Sequence, residues 1–348
     1  MISNQNYMRL LLTIFVLCFV TSVVISCKPS VVTKEEQEKA DSLNIRLNSA
    51  ELKTINAQLL ENPSDPDLYI KRCQLYIQYK QFEVAAGDAK RAIRLDSTVA
   101  SYYIALGDVY FAENKTRQTK EVLERTVVKF PESTEALMKL SELYFIVKQY
   151  KEAIENINKA LKINENIAKA YYLKGSIYRE SGDTSKAISS LETAVEQDNR
   201  LTDAYYDLGI IYAARKNPIA FDYYANALRV DPGYVNAQYA KAKLLQDVGK
   251  FDEAISEYMA LLNKDKNYLQ ANYNIGAIYL DVKSDYPKAI EYLNKALEQD
   301  NQWAAAYFAR GYSYAKMGNK LNAADDYKKC LAIEPNFTEA TVGLRQLN

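Results

Sequence analysis

Residues 168–201 read AKAYYLKGSIYRESGDTSKAISSLETAVEQDNRL, and the rest of the chain is understood from this stretch. Tyr171, Lys174, Gly175 and Tyr178 recur at spacings of three and four, and so do Ala187, Leu191 and Ala194. With 3.6 residues per helical turn, each set lies along one face of an α-helix. Gly182-Asp183 breaks the pattern between the two sets, so the stretch predicts two helices joined by a tight turn.

The same pattern recurs in both directions from here. Ala92, Thr126, Ala160 and Ala194 are spaced by 34 residues, and so are Tyr76, Tyr110, Tyr144, Tyr178 and Tyr212. At that period the chain divides into 66–99, 100–133, 134–167, 168–201, 202–234, 235–268, 269–303 and 304–337. The fifth unit is one residue short beside Pro218, and the seventh is one residue long around Ser284-Asp285-Tyr286. Both changes are expected in the turn between helices, where length varies without disturbing packing. Pro131, Pro232 and Pro335 fall at equivalent places near the ends of their units, where proline stops a helix.

Small residues occupy unit position 8 (Cys73, Gly107, Ser141, Gly175, Gly209, Ala242, Gly276, Gly311) and position 20 (Ala85, Thr119, Ala153, Ala187, Ala220, Ala254, Ala289, Ala323). Position 11 is Tyr in seven of eight units, with Leu245 in the sixth. This pattern over residues 66–337 resembles the tetratricopeptide repeat (TPR) family. Gln238 and Asn272 at position 4 and Leu261 at position 27 are mild departures. The resemblance implies an all-α fold, a right-handed superhelical solenoid of eight helix-turn-helix repeats. Small residues let helices approach closely, and no hairpin buries enough apolar surface alone, so stacking supplies the core. Leu52, Ile55, Leu59 and Leu60 form a helical stripe ending at Pro63, read as an N-terminal capping helix over 49–65. Ala340 and Leu344 give a C-terminal capping helix over 338–348.

The first residues read as an address. Arg9 precedes an apolar run, Leu10 to Ile25, and then Ser26-Cys27-Lys28. A cation, an apolar core and a small residue before a cut mark a secretory signal. Cys27 after the small residue makes the segment resemble the lipobox of bacterial lipoproteins. That resemblance implies a signal peptide over 1–26, a diacylated Cys27 as mature N-terminus, and a linker over 27–48. An uncleaved anchor or plain secretion is the alternative; the run of about sixteen residues is short of the roughly 20 a spanning helix needs. Lys28 after the cysteine favours an outer-membrane lipoprotein, and the absence of an acidic run there favours the periplasmic face.

Composition argues against several kinds of chemistry. Lys+Arg and Asp+Glu both number 44, which gives no long-range pull on phosphate backbones, so no nucleic-acid partner is expected. His is absent, removing the commonest general base and metal ligand. Cys73 and Cys330 fall at positions 8 and 27, where a small buried residue is wanted. No phosphate-binding glycine motif occurs. Asp325-Asp326 and Asp252-Glu253 read as solvated or N-terminal helix faces. No enzyme activity, metal or cofactor is expected.

One feature points to binding. Family resemblance places position 5 on the concave groove, and here it reads Ile70, Ile104, Met138, Tyr172, Tyr206, Tyr239, Tyr273 and Phe308. Ile77, Phe111 and Phe145 add to it at position 12. Aromatic rings bring large rigid area at small entropy cost, so the row is a candidate surface for a protein or extended peptide. Ordinary groove lining, common in the family at this position, is the alternative. The family's clamp for terminal carboxylates needs Lys and Asn where this chain has Ile70, Ile104, Gln74 and Asp108, so that mode is not implied. The expected function is a lipid-anchored, non-catalytic protein-interaction scaffold of the cell envelope, similar to TPR lipoproteins of Gram-negative bacteria. A glycan- or small-molecule-binding lipoprotein with an aromatic ladder is the second reading, and an enzyme the third.

Overall fold

A computed structural model describes residues 49–347. The proposed signal, Cys27 and the linker lie outside the described residues. Eighteen helices follow one another among the described residues, with no strand. A single helix, α1 (Ala50–Glu61), precedes eight helix pairs. The pairs are α2 (Pro66–Gln78) with α3 (Phe82–Leu95), α4 (Ala100–Ala112) with α5 (Thr116–Lys129), α6 (Thr134–Ile146) with α7 (Tyr150–Ile163), and α8 (Ala168–Glu180) with α9 (Thr184–Gln197). They continue as α10 (Thr202–Ala214) with α11 (Ala220–Val230), α12 (Val235–Asp247) with α13 (Phe251–Lys264), α14 (Leu269–Asp281) with α15 (Tyr286–Gln299), and α16 (Ala304–Lys316) with α17 (Lys320–Ile333). The last helix is α18 (Thr338–Gln346). The described residues pack as two compact units, divided between Val122 and Leu123.

The helix ends follow from local chemistry. Asp183 accepts from Lys186 N–H at 3.1 Å and Asp285 from Lys288 N–H at 3.2 Å, satisfying donors that a first helical turn leaves open. Pro66 and Pro287 sit in the first turns of α2 and α15, where no N–H is needed. After the second helix of a pair an Asp or Asn side chain repeatedly accepts from the backbone two residues on, as in Asp198 to Arg200 and Asp231 to Gly233. The turn inside every pair holds one residue at positive φ: Lys80, Asn114, Lys148, Gly182, Lys216, Gly249, Ser284 and Gly318. Glycine takes that conformation freely, yet five of these eight are other residues, so helix packing on both sides imposes the turn. The short fifth unit and the long seventh carry their length changes here, at 215–219 and 282–285.

Packing inside a pair is a seat and its occupant. A Cβ added to Gly175 would lie 2.6 Å from Leu191 Cγ, one on Gly209 would lie 2.4 Å from Tyr224 Cε1, and one on Gly276 would lie 2.9 Å from Leu293 Cγ. The glycine on the first helix therefore clears the volume that a large residue on the second helix fills. Ala85, Ala153, Ala187, Ala254, Ala289 and Ala323 are all fully buried on the second helices, where the backbones close up. In the second unit, core clusters follow one another along the chain, from Leu123–Ile177 through Ala187–Ile211 and Ala242–Ile278 to Ala304–Ala340. In the first unit Leu52, Ile55 and Leu59 of α1 pack on Leu68 and Leu75. Leu60, expected in that stripe, is instead 85% exposed, because it falls a quarter-turn off the buried face.

Polar residues inside the pairs are mostly paired. Arg310 on α16 donates to both oxygens of Asp326 on α17 and to Asn294 Oδ1 on the preceding helix at 2.6 Å. Asp326, expected on a solvated face, is thus buried, because the guanidinium at unit position 7 reaches across the pair. Arg72 repeats this arrangement in the first unit with Asp88 and Asn56. The two position-4 departures fare differently. Gln238 donates to Glu257 and accepts from Lys264, whereas the Asn272 amide nitrogen is buried without a partner.

Candidate functional site

The aromatic row expected from position 5 lies on the first helices of successive pairs in the second unit, and every member is half-buried: Tyr172 on α8, Tyr206 on α10, Tyr239 on α12, Tyr273 on α14 and Phe308 on α16. Its rings are not isolated. Each packs against the residue that opens the next pair's first helix. Tyr206 meets Tyr234 edge-on at 5.5 Å, Tyr239 meets Tyr268 at 5.3 Å, Tyr273 meets Trp303 at 4.3 Å and Phe308 meets Phe337 at 5.1 Å. Tyr172 shares a core cluster with Leu201, which holds the same place before α10. The row is therefore a double file of rings from α10 to α18. Such offset and edge-on pairs hold each ring at one angle.

The second file, Tyr234, Tyr268, Trp303 and Phe337, escapes the position-5 reading. Its signal is present in the sequence, as an aromatic residue recurring every 34 or 35 residues just before α12, α14, α16 and α18. The position-12 residues do not join this file. Phe145 packs on Tyr150 of its own pair at 6.1 Å, and Phe111, in the first unit, is 47% exposed.

Polar groups are set into the row at two places. Tyr258 donates to Gln246 Oε1 at 2.9 Å, while Asn274 Nδ2 donates to the hydroxyls of Tyr258 at 2.9 Å and Tyr239 at 3.3 Å. This network fixes the Tyr239 ring and leaves its faces apolar. At the other place Arg179 on α8 donates to Oδ1 of Asp207 on α10. Asp207 is 5% exposed, and its second carboxylate oxygen is buried with no partner. Burial outweighs the attraction of Arg179 and pushes its pKa up to about 6. The phenols of Tyr172 and Tyr206 both lie in the field of this carboxylate, and both are pushed up, chiefly by burial. Beside them Tyr234 donates to Asp203 Oδ1 at 2.5 Å.

At the C-terminal end of the row a cavity of 580 Å³ opens between α16, α17 and α18. Phe308, Tyr312, Lys316, Tyr327 and Val342 line it. The Lys316 ammonium sits 5.0 Å over the Tyr312 ring, so this end is aromatic with a cationic rim.

The remaining chemistry-bearing residues are spent in packing. Cys73 and Cys330 are buried free thiols, and burial pushes them up to about 12 and about 11, far from a reactive thiolate. Among the described residues no three His, Cys, Asp or Glu side chains gather as a metal site, and no helix is long and apolar enough to cross a membrane.

Comparison with known proteins agrees with this geometry. Models of the tetratricopeptide repeat match residues 134–167, 175–215, 239–302 and 304–337. A TPR repeat-containing protein of Methanocaldococcus jannaschii is 25% identical over 314 residues, covering 83% of this chain and 54% of that protein. Tetratricopeptide repeat protein 6 of Homo sapiens is 25% identical over 195 residues, 56% of this chain and 31% of that one. This chain thus spans about half the length, or less, of these curated relatives. Among solved structures, the C-terminal part of a TPR repeat-containing protein from Cytophaga hutchinsonii superposes with a TM-score of 0.60 at 20% identity. That match covers 68% of this chain and 98% of the other, and it shows a shared fold.

Proposed function

We propose that this chain, which belongs to the tetratricopeptide repeat family, is a non-catalytic scaffold that holds a protein or extended peptide along its aromatic row. Repeats of this family bind protein or peptide partners, so the coarse assignment follows from the family. The observation that carries the finer one is the double file of rings from Tyr206 to Phe337, half-buried and locked in pairs. Rings already ordered by their neighbours lose little entropy on binding, which favours an interface. In the pairs of Tyr239, Tyr273 and Phe308 the planes are tilted by only 34°, 30° and 34°, so each ring covers part of its neighbour, which suits a peptide better than a sugar that needs a free flat face. The lack of His and the suppression of both thiols support a non-catalytic role.

We further place the protein in the cell envelope, anchored by lipid on Cys27, at the outer membrane and facing the periplasm. The support is the run Leu10 to Ile25 followed by Ser26-Cys27-Lys28. The balanced charge supports a partner other than nucleic acid.

Crosslinking and affinity capture from intact envelopes test the binding role, with wild type compared against Tyr206→Ala/Tyr239→Ala/Tyr273→Ala after matching their melting curves. A partner captured by wild type and lost in the variant is the expected result. A partner retained equally by both removes the row as the binding surface. Mass analysis of the mature N-terminus tests the anchor, since Cys27→Ser must abolish the lipid adduct.

A further inference from the structure

The row is not uniform in charge. The charges that Tyr172 and Tyr206 feel are those of Asp203, Asp207 and Arg179. Asp207 on α10 is bound by Arg179 on α8, and Asp247 on α12 by Lys243 on the same helix. Asp281 lies beside Tyr273, whose phenol feels its charge.

The density is greatest around Asp207. Its carboxylate is more than nine-tenths buried, Arg179 occupies one oxygen, and the other has no donor. Leaving a charged acceptor buried and unmet is costly, and folding alone does not reward it. Position 6 of the repeat is apolar or a small amide in the neighbouring pairs, with Leu173, Ala240, Asn274 and Ala309, so the fold does not require an acid there. The rings of Tyr172 and Tyr206 lie in the field of this acid, and Asp203 stands one helical turn away, held by Tyr234, whose ring packs on Tyr206. With Arg179 counted, the group carries a net charge of −1, from two carboxylates and one guanidinium. Aromatic faces with a surplus carboxylate are the surroundings a desolvated cation prefers.

We propose that a lysine or arginine side chain of the bound peptide seats among Tyr172, Tyr206 and Tyr234 and supplies the donor that Asp207 lacks, with Asp203 as its second counter-charge. The proposal rests on the peptide-binding reading of the row. It makes the partner's recognised segment basic at this point.

Selection of a random 12-residue peptide library on the full chain tests it, with parallel selections on Asp207→Asn, on Asp203→Asn and on Tyr206→Ala/Tyr239→Ala/Tyr273→Ala. Each variant is first shown to melt as one cooperative unit. Wild type is expected to enrich Lys or Arg at one register relative to apolar positions. Asp207→Asn and Asp203→Asn should still select apolar binders but lose that basic enrichment, with at least a tenfold drop in affinity for the wild-type winners. Binders with no basic preference, or a preference that both Asn variants keep, overturn the proposal and leave the row as a binding surface. Failure of wild type to select any peptide, or equal selection by the tyrosine variant, defeats the peptide reading itself and the proposal with it.

Discussion

Arg310 and Asp326 form a two-pronged pair between the helices of the last repeat, with Nε to Oδ2 and the second prong to Oδ1 both at 2.7 Å, and Asp326 is buried. The same residue types meet in the same way at Arg72 and Asp88 in the first repeat. Removing one partner strands the other charge out of water. Arg310→Met should therefore destabilise by about 3–5 kcal/mol, and Arg310→Met/Asp326→Leu by much less. A double-mutant cycle in urea checks this, and equal costs for the single and double variants would show that the pair is incidental.

Two glycines test two different causes. Gly209 faces Tyr224, with 2.4 Å between an added Cβ and the ring, so Gly209→Leu should cost at least about 1–3 kcal/mol and lower the melting midpoint by several degrees. Gly182 has open space around it but φ +85°, so Gly182→Ala should cost about 1 kcal/mol through the backbone alone. Shrinking the neighbour separates them: Tyr224→Ala should relieve part of the Gly209→Leu cost and none of the Gly182→Ala cost.

Asn272 holds a buried amide nitrogen with no partner on α14. Asn272→Leu keeps the size, removes the unmet donor and gives the position a large apolar residue. Stability should rise by on the order of 1–2 kcal/mol, read as a higher urea midpoint at constant slope. A lower midpoint would mean that the amide is satisfied in solution.

Asp207 makes a pH prediction. Its folded pKa of about 6 stands above the ordinary carboxylate value, so the folded state favours the proton. The associated stability is fully present below about pH 4 and is lost as pH rises through about 6. Asp207→Asn carries no titrating group, so it should gain on wild type in melting temperature between pH 4.5 and pH 7.5. A constant difference across that range would show that Asp207 titrates normally.

Much of this molecule is legible along the chain, because a repeat writes its packing rules locally and many times. Ala187 and Ala194 recur at helical spacing, Gly175 recurs as Gly209, and each copy reinforces the reading of the others. The helix pairs, their turns and the small residues at the crossings follow from period and residue size alone. The position-5 row was also legible, since its members recur at the same period.

Other features depend on distances across pairs, which periodicity does not carry. The partners of that row, Tyr234, Tyr268, Trp303 and Phe337, belong to it only because each helix start swings its ring onto the preceding pair. Leu60 has the composition of a core residue and faces water, while Asp326 has that of a surface residue and is buried against Arg310. Asp207 is one acid among many in the sequence; burial beside Tyr172 and Tyr206, with one oxygen left unmet, is decided by α8 and α10 coming together. The sequence by itself determined the repeat, because helical period and residue size are local quantities. The tertiary structure alone decided which polar groups lose water, because desolvation depends on neighbours about one repeat away in the chain.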